Sequence, residues 1–277
     1  MPEQLGYLGP AGTYSEEAAL KYAPGAQLVP FPSVDAVGAA VGSGMVEEGV
    51  VAIENSLEGS VNDTLDLLIQ ESRLFIRTEL VVPIEHYLLV KPGTRVQDVR
   101  VVFSHPQAFG QCRRFVERCF PKAQIVAALS TTAAVEEMMA HPSAAAAIAS
   151  KRAAELYGAQ ILARDIQDRL PNVTRFVVLA LSDHAPTGRD KTSICFTFAE
   201  DKPGALYGVL KEFAGRGINL AKIESRPLKE SLGKYFFLAD LEGHREDRVV
   251  AETLERVTGV TSSLKVFGSY PRYHENG

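Results

Sequence analysis

The sequence predicts an α/β protein with two similar lobes, followed by a smaller α+β domain with the ferredoxin-like order βαββαβ. Short apolar runs, separated by helical segments and polar loops, predict strands that are covered on both faces. The two halves of this region resemble each other, because the spacing from Gly9 to Ser33 nearly matches that from Ser104 to Ser130. Beyond residue 190 the order strand, helix, strand, strand, helix, strand indicates the ferredoxin-like motif.

The composition is that of an ordinary globular protein, with 277 residues, 46% hydrophobic and 23% charged, and a net charge of −5. This charge predicts neither nucleic acid nor an anionic membrane surface as a partner. No apolar stretch approaches the roughly 20 residues that span a bilayer, and no signal peptide is evident. Three cysteines, an odd number, favour a reducing cytoplasm. Metal-ligand spacings and nucleotide fingerprints are absent, so we expect no metal and no cofactor.

The first lobe is predicted from three strands, which cover residues 5–8, 27–30 and 49–53. Thr13 and Glu16 have the spacing of a capping box, which predicts a helix after the first strand. Ser60 and Asp63 have the same spacing and predict a helix that continues through about residue 71. Glycines at positions 9 and 12 leave backbone N–H groups bare before the first helix, where an anion is favoured.

The second lobe is predicted from strands at residues 101–103, 145–149 and 160–163, with a helix from Pro106 to about residue 119. Two crossovers join the lobes into a hinged arrangement suited to closing on a small ligand. A polar linker follows, and the last ten residues are expected to be a loose tail. The predicted domains are 1–182, with lobe A at about 1–80 and 166–182 and lobe B at about 81–165, and 191–277.

Hydrogen-bonding side chains follow several of these strands, at the edge where ligands bind in open α/β sheets. They are Thr13, Glu54, Asn55, Ser56, Ser104 and His105. Thr174 and Arg175 come just before another apolar strand, at 176–181. No Ser-His-Asp or Cys-His pairing is legible, so covalent catalysis is not expected. This set is typical of a site that holds a small polyanion by N–H groups, hydroxyls and one guanidinium. The chemistry at such a site would consist of positioning and a single proton transfer.

Four motifs in register along the chain resemble those of prephenate dehydratase: residues 172–176 (NVTRF), 9–15 (GPAGTYS), 53–56 (IENS, with Gly59) and 104–108 (SHPQA). The resemblance implies a periplasmic-binding-protein-like fold that converts prephenate to phenylpyruvate, CO2 and water in phenylalanine biosynthesis. It implies that Thr174 donates a proton to the departing hydroxyl and that Arg175 pairs with a substrate carboxylate. It also implies substrate binding by Thr13, Asn55, Ser56 and Ser104, and it leaves the roles of Glu54 and His105 open.

The C-terminal domain resembles an ACT domain, a regulatory module that commonly binds amino acids. Two stretches match its phenylalanine motifs: Gly204, Ala205 and Leu206, and then Glu224, Ser225, Arg226 and Pro227. Asn219 is a further candidate, although it could equally be a turn residue. The resemblance implies L-phenylalanine as an effector and a homodimer or homotetramer.

Two alternatives stay open at this point. Arogenate dehydratase has the same fold and chemistry, with an amino group on the substrate side chain, and the motifs do not separate the two. A non-catalytic amino-acid sensor with the same domains belongs to another class, but it has no evident need for the Thr174 hydroxyl. Assays with prephenate and with arogenate discriminate all three.

Overall fold

The computed structural model describes residues 1–70, 73–200, 202–228 and 235–273. Its strands form three sheets. The first sheet has the order β2-β1-β3-β11-β5, with β4 paired to β3, and β1 and β2 are parallel. Its strands are β1 Gln4–Leu8, β2 Gln27–Phe31, β3 Glu48–Asn55, β4 Gly59–Ser60, β5 Phe75–Pro83 and β11 Val173–Ala180. The helices that alternate with them are α1 Tyr14–Tyr22, α2 Val34–Gly42 and α3 Asn62–Gln70.

The start of α3 differs from the predicted capping box. Ser60 lies in β4, where it pairs with Glu54, and α3 begins only at Asn62. Ser60, which the spacing predicted as a helix cap, is therefore part of a strand pair. The described part of α3 ends at Gln70, so the expected end near residue 71 lies outside the described residues.

The second sheet has the order β10-β6-β9-β7-β8. Its strands are β6 Tyr87–Val90, β7 Val101–Ser104, β8 Gln124–Ala127, β9 Ala145–Ala149 and β10 Gln160–Ala163. Its helices are α4 Pro106–Gln111, α5 Arg113–Cys119, α6 Thr131–Ala140 and α7 Lys151–Tyr157, with a 3-10 turn at Val96–Asp98. Every residue of β9 is buried, and successive residues pack into two different cores. Both faces of this sheet are therefore covered, as the apolar strands predicted.

The single helix predicted from Pro106 is broken at Cys112 into α4 and α5. Asp168 accounts for the break. Its backbone N–H donates to the Gln111 carbonyl at 2.7 Å, and its carboxylate accepts from the Arg114 N–H at 3.0 Å. A backbone acceptor and a backbone donor of the helix are thus engaged by a residue outside it.

The third sheet has the order β13-β14-β12-β15, and its neighbouring strands are antiparallel. Its strands are β12 Asp190–Thr197, β13 Leu220–Pro227, β14 Tyr235–Glu242 and β15 Ser263–Pro271, with helices α8 Ala205–Ala214 and α9 Arg248–Val260. The two helices pack on one face, against a core that includes Ile194, Phe196 and Leu241. The predicted βαββαβ order is confirmed.

The tail predicted for the last ten residues is wrong in its first part. β15 continues through Pro271, and Tyr270 is fully buried. Residues 274–277 lie outside the described residues. Within the described residues, no helix combines the length and apolar character needed to cross a bilayer.

The density of backbone contacts divides the chain into two compact units. Unit 1 comprises Met1–Val37, Val50–Val61 and Val81–Phe176, and unit 2 comprises Gly38–Gly49, Asn62–Leu80 and Val177–Gly277. The domain and lobe boundaries inferred from the sequence stay a prediction.

Within unit 2, β15 approaches β5 so closely that only glycine fits at position 268. A Cβ on Gly268 would lie 2.3 Å from the carbonyl oxygen of Ile76 and 2.8 Å from its nitrogen. The residue also has a φ of +146°, which side chains rarely adopt. Because both neighbours are backbone atoms, no rotamer change can make room.

We therefore expect Gly268→Ala to lower the free energy of unfolding by about 3 kcal/mol or more, measured by urea denaturation. The matched control is Gly259→Ala in α9, where a Cβ meets no atom within 4 Å. This control should be neutral or should stabilise by up to about 1 kcal/mol, because alanine favours a helix. Equal stability of the two variants would contradict the close approach.

Candidate active site

A cavity of about 380 Å³ in unit 1 lies among loops that belong to the first and second sheets. This volume is within the usual range of about 300–1,000 Å³ for small-molecule sites. The cavity combines apolar walls with hydroxyls, amides and two imidazoles. Its lining residues include Thr13, Tyr14, Asn55, Ile84, His86, His105, Gln111, Leu129, Ser130, Thr174 and Phe176. Within the described part of the chain, its lining contains no lysine and no arginine.

A larger recess of about 580 Å³ borders the other side of Gln111. Most of its charged lining residues are exposed, among them Arg113, Arg114 and Glu117. The smaller cavity is the better candidate, because four of the predicted site residues, Thr13, Asn55, His105 and Thr174, line it together.

Asn55, at the end of β3, has an unambiguous amide orientation. Its Oδ1 accepts hydrogen bonds from the backbone N–H groups of Leu57 at 2.9 Å and Glu58 at 3.1 Å. Backbone N–H groups can only donate, so the other side-chain atom is the Nδ2 donor. That nitrogen lies 2.9 Å from Asn172 Oδ1 and 2.9 Å from Thr174 Oγ1.

This geometry determines the direction of the Thr174 hydroxyl. Its oxygen accepts the hydrogen bond from Asn55, so its own proton is not used in that contact. Thr174 is buried at the cavity wall, and its hydroxyl has no other hydrogen-bond partner among the described residues. The Thr174 hydroxyl is therefore able to donate a hydrogen bond to a ligand in the cavity.

The side-chain amides of Asn55, Asn172 and Gln111 form a hydrogen-bonded series, the amide chain, which ends on helix α4. Asn172 Nδ2 donates to Gln111 Oε1 at 2.8 Å, and Gln111 Nε2 donates to Glu58 at 3.3 Å. Gln111 Oε1 also lies 2.8 Å from His86 Nε2. Since that oxygen only accepts, Nε2 of His86 carries a proton. Burial lowers the pKa of His86, which favours the neutral ring.

Thr13 caps α1 as predicted, since its Oγ1 accepts from the Glu16 N–H, and it also donates to the Pro10 carbonyl at 2.9 Å. The anion site expected at the Gly9 and Gly12 N–H groups is wrong. Gly9 donates to Phe31 O at 2.9 Å, and Gly12 donates to the carboxylate of Glu16 at 2.6 Å. The glutamate of the capping box has taken the N–H group that an anion would need.

Arg175 follows Thr174 on β11 but does not line the cavity. Successive strand residues point to opposite faces, and the Arg175 guanidinium lies 3.4 Å from the carboxylate of Glu54. The structure therefore brings Arg175 and Glu54 to each other and not to the cavity. A direct contact of either side chain with a substrate stays a prediction.

The remaining three predicted residues hold the framework of the site. Ser56 Oγ accepts from the Val173 N–H at 3.0 Å and so holds the start of β11. Ser104 is fully buried and donates to Ile148 O at 2.8 Å, which ties β7 to β9. His105 caps α4 through Nδ1 and also lines the cavity.

Sequence reasoning missed Tyr14, His86, Gln111 and Ser130 as cavity residues. Tyr14 lies in the GPAGTYS motif at residues 9–15, and Ser130 was used only to define the spacing of the second half. His86 is a polar residue in a largely apolar stretch, which is a signal that could have been used. Gln111 lies inside a helix, where its spacing carries no signal.

The predicted effector residues in unit 2 fall into two groups. Arg226 and Pro227 line a small cavity of about 130 Å³ with Asp66, Ile69, Gln70, Leu228 and Phe236. Arg226 Nη2 lies 3.1 Å from Asp66, and its Nη1 is buried with no partner among the described residues. Glu224 pairs with Lys222 at 3.3 Å, and Ser225 lies opposite Phe237 in β14.

The other group does not line that cavity. Gly204 precedes α8 with a φ of +87°, and Ala205 begins the helix. Leu206 packs partly buried against the core of the third sheet. Asn219 donates to Glu242 at 3.1 Å. The two motifs are thus not joined on one cavity within the described residues.

Comparison with known proteins gives the family. The family model for prephenate dehydratase matches residues 5–184, and that for the ACT domain matches residues 193–259. A bifunctional chorismate mutase/prephenate dehydratase of Aquifex aeolicus is 43% identical over 270 residues, which are 97% of this chain and 74% of the relative. The prephenate dehydratase of Bacillus subtilis is 36% identical over 283 residues, which are 98% and 99% of the two chains.

The structure of prephenate dehydratase from Arthrobacter aurescens in complex with L-Phe has a TM-score of 0.89 at 36% identity, covering 97% of this chain and 90% of that one. The chain belongs to the prephenate dehydratase family, whose members are lyases, and it carries an ACT domain. The predicted fold class, a two-lobed periplasmic-binding-protein-like region with a ferredoxin-like ACT domain, is confirmed.

The buried imidazole of His86 predicts a pH dependence of stability. Because its pKa is lowered in the folded protein, the unfolded chain binds more protons there once the pH falls below about 6.5. The free energy of unfolding should therefore decline as the pH falls from that value toward the lowered pKa. His86→Gln has no titrating ring, so its decline between about pH 7.5 and about pH 5.5 should be shallower in urea unfolding. Parallel curves for the two proteins would count against a buried neutral His86.

Proposed function

We propose that the protein converts prephenate to phenylpyruvate, CO2 and water in the cavity of unit 1, with Thr174 as the catalytic hydrogen-bond donor. The hydrogen bond from Asn55 to Thr174 carries this proposal, because it leaves the threonine proton free for the substrate. Membership of the prephenate dehydratase family supports the reaction class.

The reaction needs little covalent chemistry from the protein. The bond between the ring and its carboxylate breaks, and CO2 leaves. The electron pair of that bond enters the ring, which becomes aromatic, and the C–O bond to the ring hydroxyl breaks on the opposite carbon. The departing oxygen leaves as hydroxide that accepts a hydrogen bond from Thr174, and it takes up a proton from solvent to become water when the products are released. Thr174 assists at that oxygen, where negative charge develops.

Threonine is a weak acid, so its contribution is a hydrogen bond that strengthens as the C–O bond breaks. In a cavity that excludes water such a donor is worth more than in solution. Removing one preorganised donor to a developing negative charge typically costs about 10²–10³-fold in kcat. The Thr174 hydroxyl, whose oxygen is held by the buried Asn55 amide, can supply such a hydrogen bond to the departing oxygen.

The cavity lining also suits the loss of the carboxylate. A guanidinium beside the departing carboxylate would stabilise the charge that the reaction has to remove. The described lining offers hydroxyls, amides and imidazoles instead, with Thr13 and His105 among them. In this proposal Arg175 reaches the second carboxylate of prephenate only when its pair with Glu54 opens.

The Thr174 hydroxyl can be tested directly. Thr174→Val should lower kcat about 10²–10³-fold and change KM far less, because the donor acts mainly in the transition state. Thr174→Ser keeps a hydroxyl and should retain partial activity. The measurement is phenylpyruvate formation from prephenate, with arogenate assayed in parallel for the alternative substrate. Mild and equal effects on kcat and KM in Thr174→Val would remove Thr174 from the donor role.

For unit 2 we propose that L-phenylalanine is an allosteric effector bound near Arg226. A guanidinium N–H of Arg226 that has no partner among the described residues lies beside the apolar side chains of Ile69 and Phe236. This arrangement suits a carboxylate joined to an aromatic ring. The relative solved with L-Phe supports the choice of ligand. Because the Gly204 motif does not line this cavity, we propose that a second subunit of a homodimer or homotetramer completes the site. We also propose that the enzyme is cytoplasmic.

Arg226→Ala should raise the phenylalanine concentration needed for half of the effector response about 10-fold or more, because a charge-assisted hydrogen bond is worth about 1.5–3 kcal/mol. The measurement is dehydratase activity against phenylalanine concentration. Arg248→Ala is the matched control, since that exposed arginine pairs with Glu252 on its own helix. An unchanged response in Arg226→Ala would place the effector elsewhere.

A further inference from the structure

We propose that His86 is a positioning residue of the dehydratase site, holding the amide chain that presents the Thr174 hydroxyl to the substrate. The inference rests on the proposed function, since it concerns the same catalytic donor. It assigns a role to a histidine that lies just before the strand β6, far from Thr174 in the chain.

The position of His86 is strongly constrained. Only 3% of the residue is exposed, and its backbone N–H donates to Gln167 Oε1 at 3.0 Å. Its ring meets the ring of Tyr14 edge to face, with 6.0 Å between the centroids. A side chain held by a backbone bond and by an aromatic contact can serve as a fixed point for its neighbours.

Both ring nitrogens of His86 face protein atoms. Nε2 donates to Gln111 Oε1 at 2.8 Å, and Nδ1 lies 3.4 Å from the Tyr14 hydroxyl, which itself donates to the Glu85 carbonyl. The ring therefore has no nitrogen directed at a substrate, and proton transfer by His86 is not its role. What the ring supplies is a donor at a fixed place.

The His86 donor meets, at Gln111 Oε1, a series of hydrogen bonds that runs from Asn55 through Asn172 to Gln111. The backbone N–H groups after Asn55 orient its amide, Asn55 orients Asn172, and Asn172 donates to Gln111. Gln111 Oε1 is held from two sides, by Asn172 and by His86. Without His86, the Gln111 amide can rotate or turn over, and a turned amide would set its Nε2 against the donor of Asn172.

The disturbance reaches the catalytic group through Asn172. If Asn172 turns to accept from Gln111, its Nδ2 faces the Nδ2 of Asn55, and both are donors. Because the Leu57 and Glu58 N–H groups keep the Asn55 amide from turning over, the repulsion instead shifts its Nδ2 relative to Thr174 Oγ1. The hydrogen bond that leaves the Thr174 proton available to the substrate is then weakened. Buried polar networks lose more than one bond when a member is removed, because the other members are left unsatisfied.

The test compares two amides of different reach in the full-length protein. His86→Gln places an amide nitrogen near the position of Nε2 and should keep the donor to Gln111. His86→Asn is one methylene shorter and cannot reach it. We expect His86→Asn to lower kcat about 10-fold or more with KM changed less than about 3-fold, and His86→Gln to recover most of that loss. His141→Asn, a histidine outside the cavity, is the matched control and should keep the kcat of the parent protein.

A double-mutant cycle with Thr174→Val identifies the route of the effect. If His86 acts through the Thr174 hydroxyl, His86→Asn should cost almost nothing further once that hydroxyl is absent. Full multiplication of the two losses would overturn the proposal, as would equal kcat values for His86→Asn and His86→Gln. A rise in KM at constant kcat would also overturn it, since it would make His86 a substrate contact. Circular dichroism and urea unfolding show that each variant is folded before its kinetics are compared.

The two proposals can fail separately. If the parent protein forms no phenylpyruvate from prephenate, the proposed function is wrong and the His86 kinetics have no reference. If the parent is active and the His86 variants match it, only the positioning role is wrong.

Discussion

The hydrogen-bonding geometry of Asn55 connects the backbone to the chemistry of the cavity. Its Oδ1 is occupied by two backbone N–H groups, so its Nδ2 faces Asn172, Thr174 and the carbonyl oxygen of Val173. An amide at the end of a buried strand, oriented by the turn that follows it, needs no reorganisation when a substrate arrives. Such preorganised donors are the largest source of electrostatic catalysis in many enzymes, because their orientation is established during folding.

Unit 2 shows a similar dependence on close packing. Gly268 lets β15 meet the backbone of Ile76, and Lys191 Nζ lies 2.9 Å from each carboxylate oxygen of Glu79 nearby. Residues 62–80 therefore form a compact unit with the residues that follow Phe176, and Asp66 pairs with Arg226 of the phenylalanine motif.

Sequence patterns predicted most of the strands, most helices and the ferredoxin-like order, and they selected Thr13, Asn55, His105 and Thr174, which line one cavity. They failed where a single residue had two competing partners. Glu16 was expected to close a capping box, but its carboxylate accepts from the Gly12 N–H. A helix was expected to continue past Cys112, but Asp168 engages the backbone groups around it.

The reason for this division is the range over which each interaction acts. Hydrophobic period, capping spacing and turn residues act over a few positions, so the fold class and the polar loops were legible in the chain alone. Which way Arg175 points depends on the face of β11 that is buried, and its Glu54 partner comes from another strand. The contacts of His86 and Gln111 join separate segments, and only the folded chain brings them within hydrogen-bonding distance, because such contacts follow from packing and not from spacing.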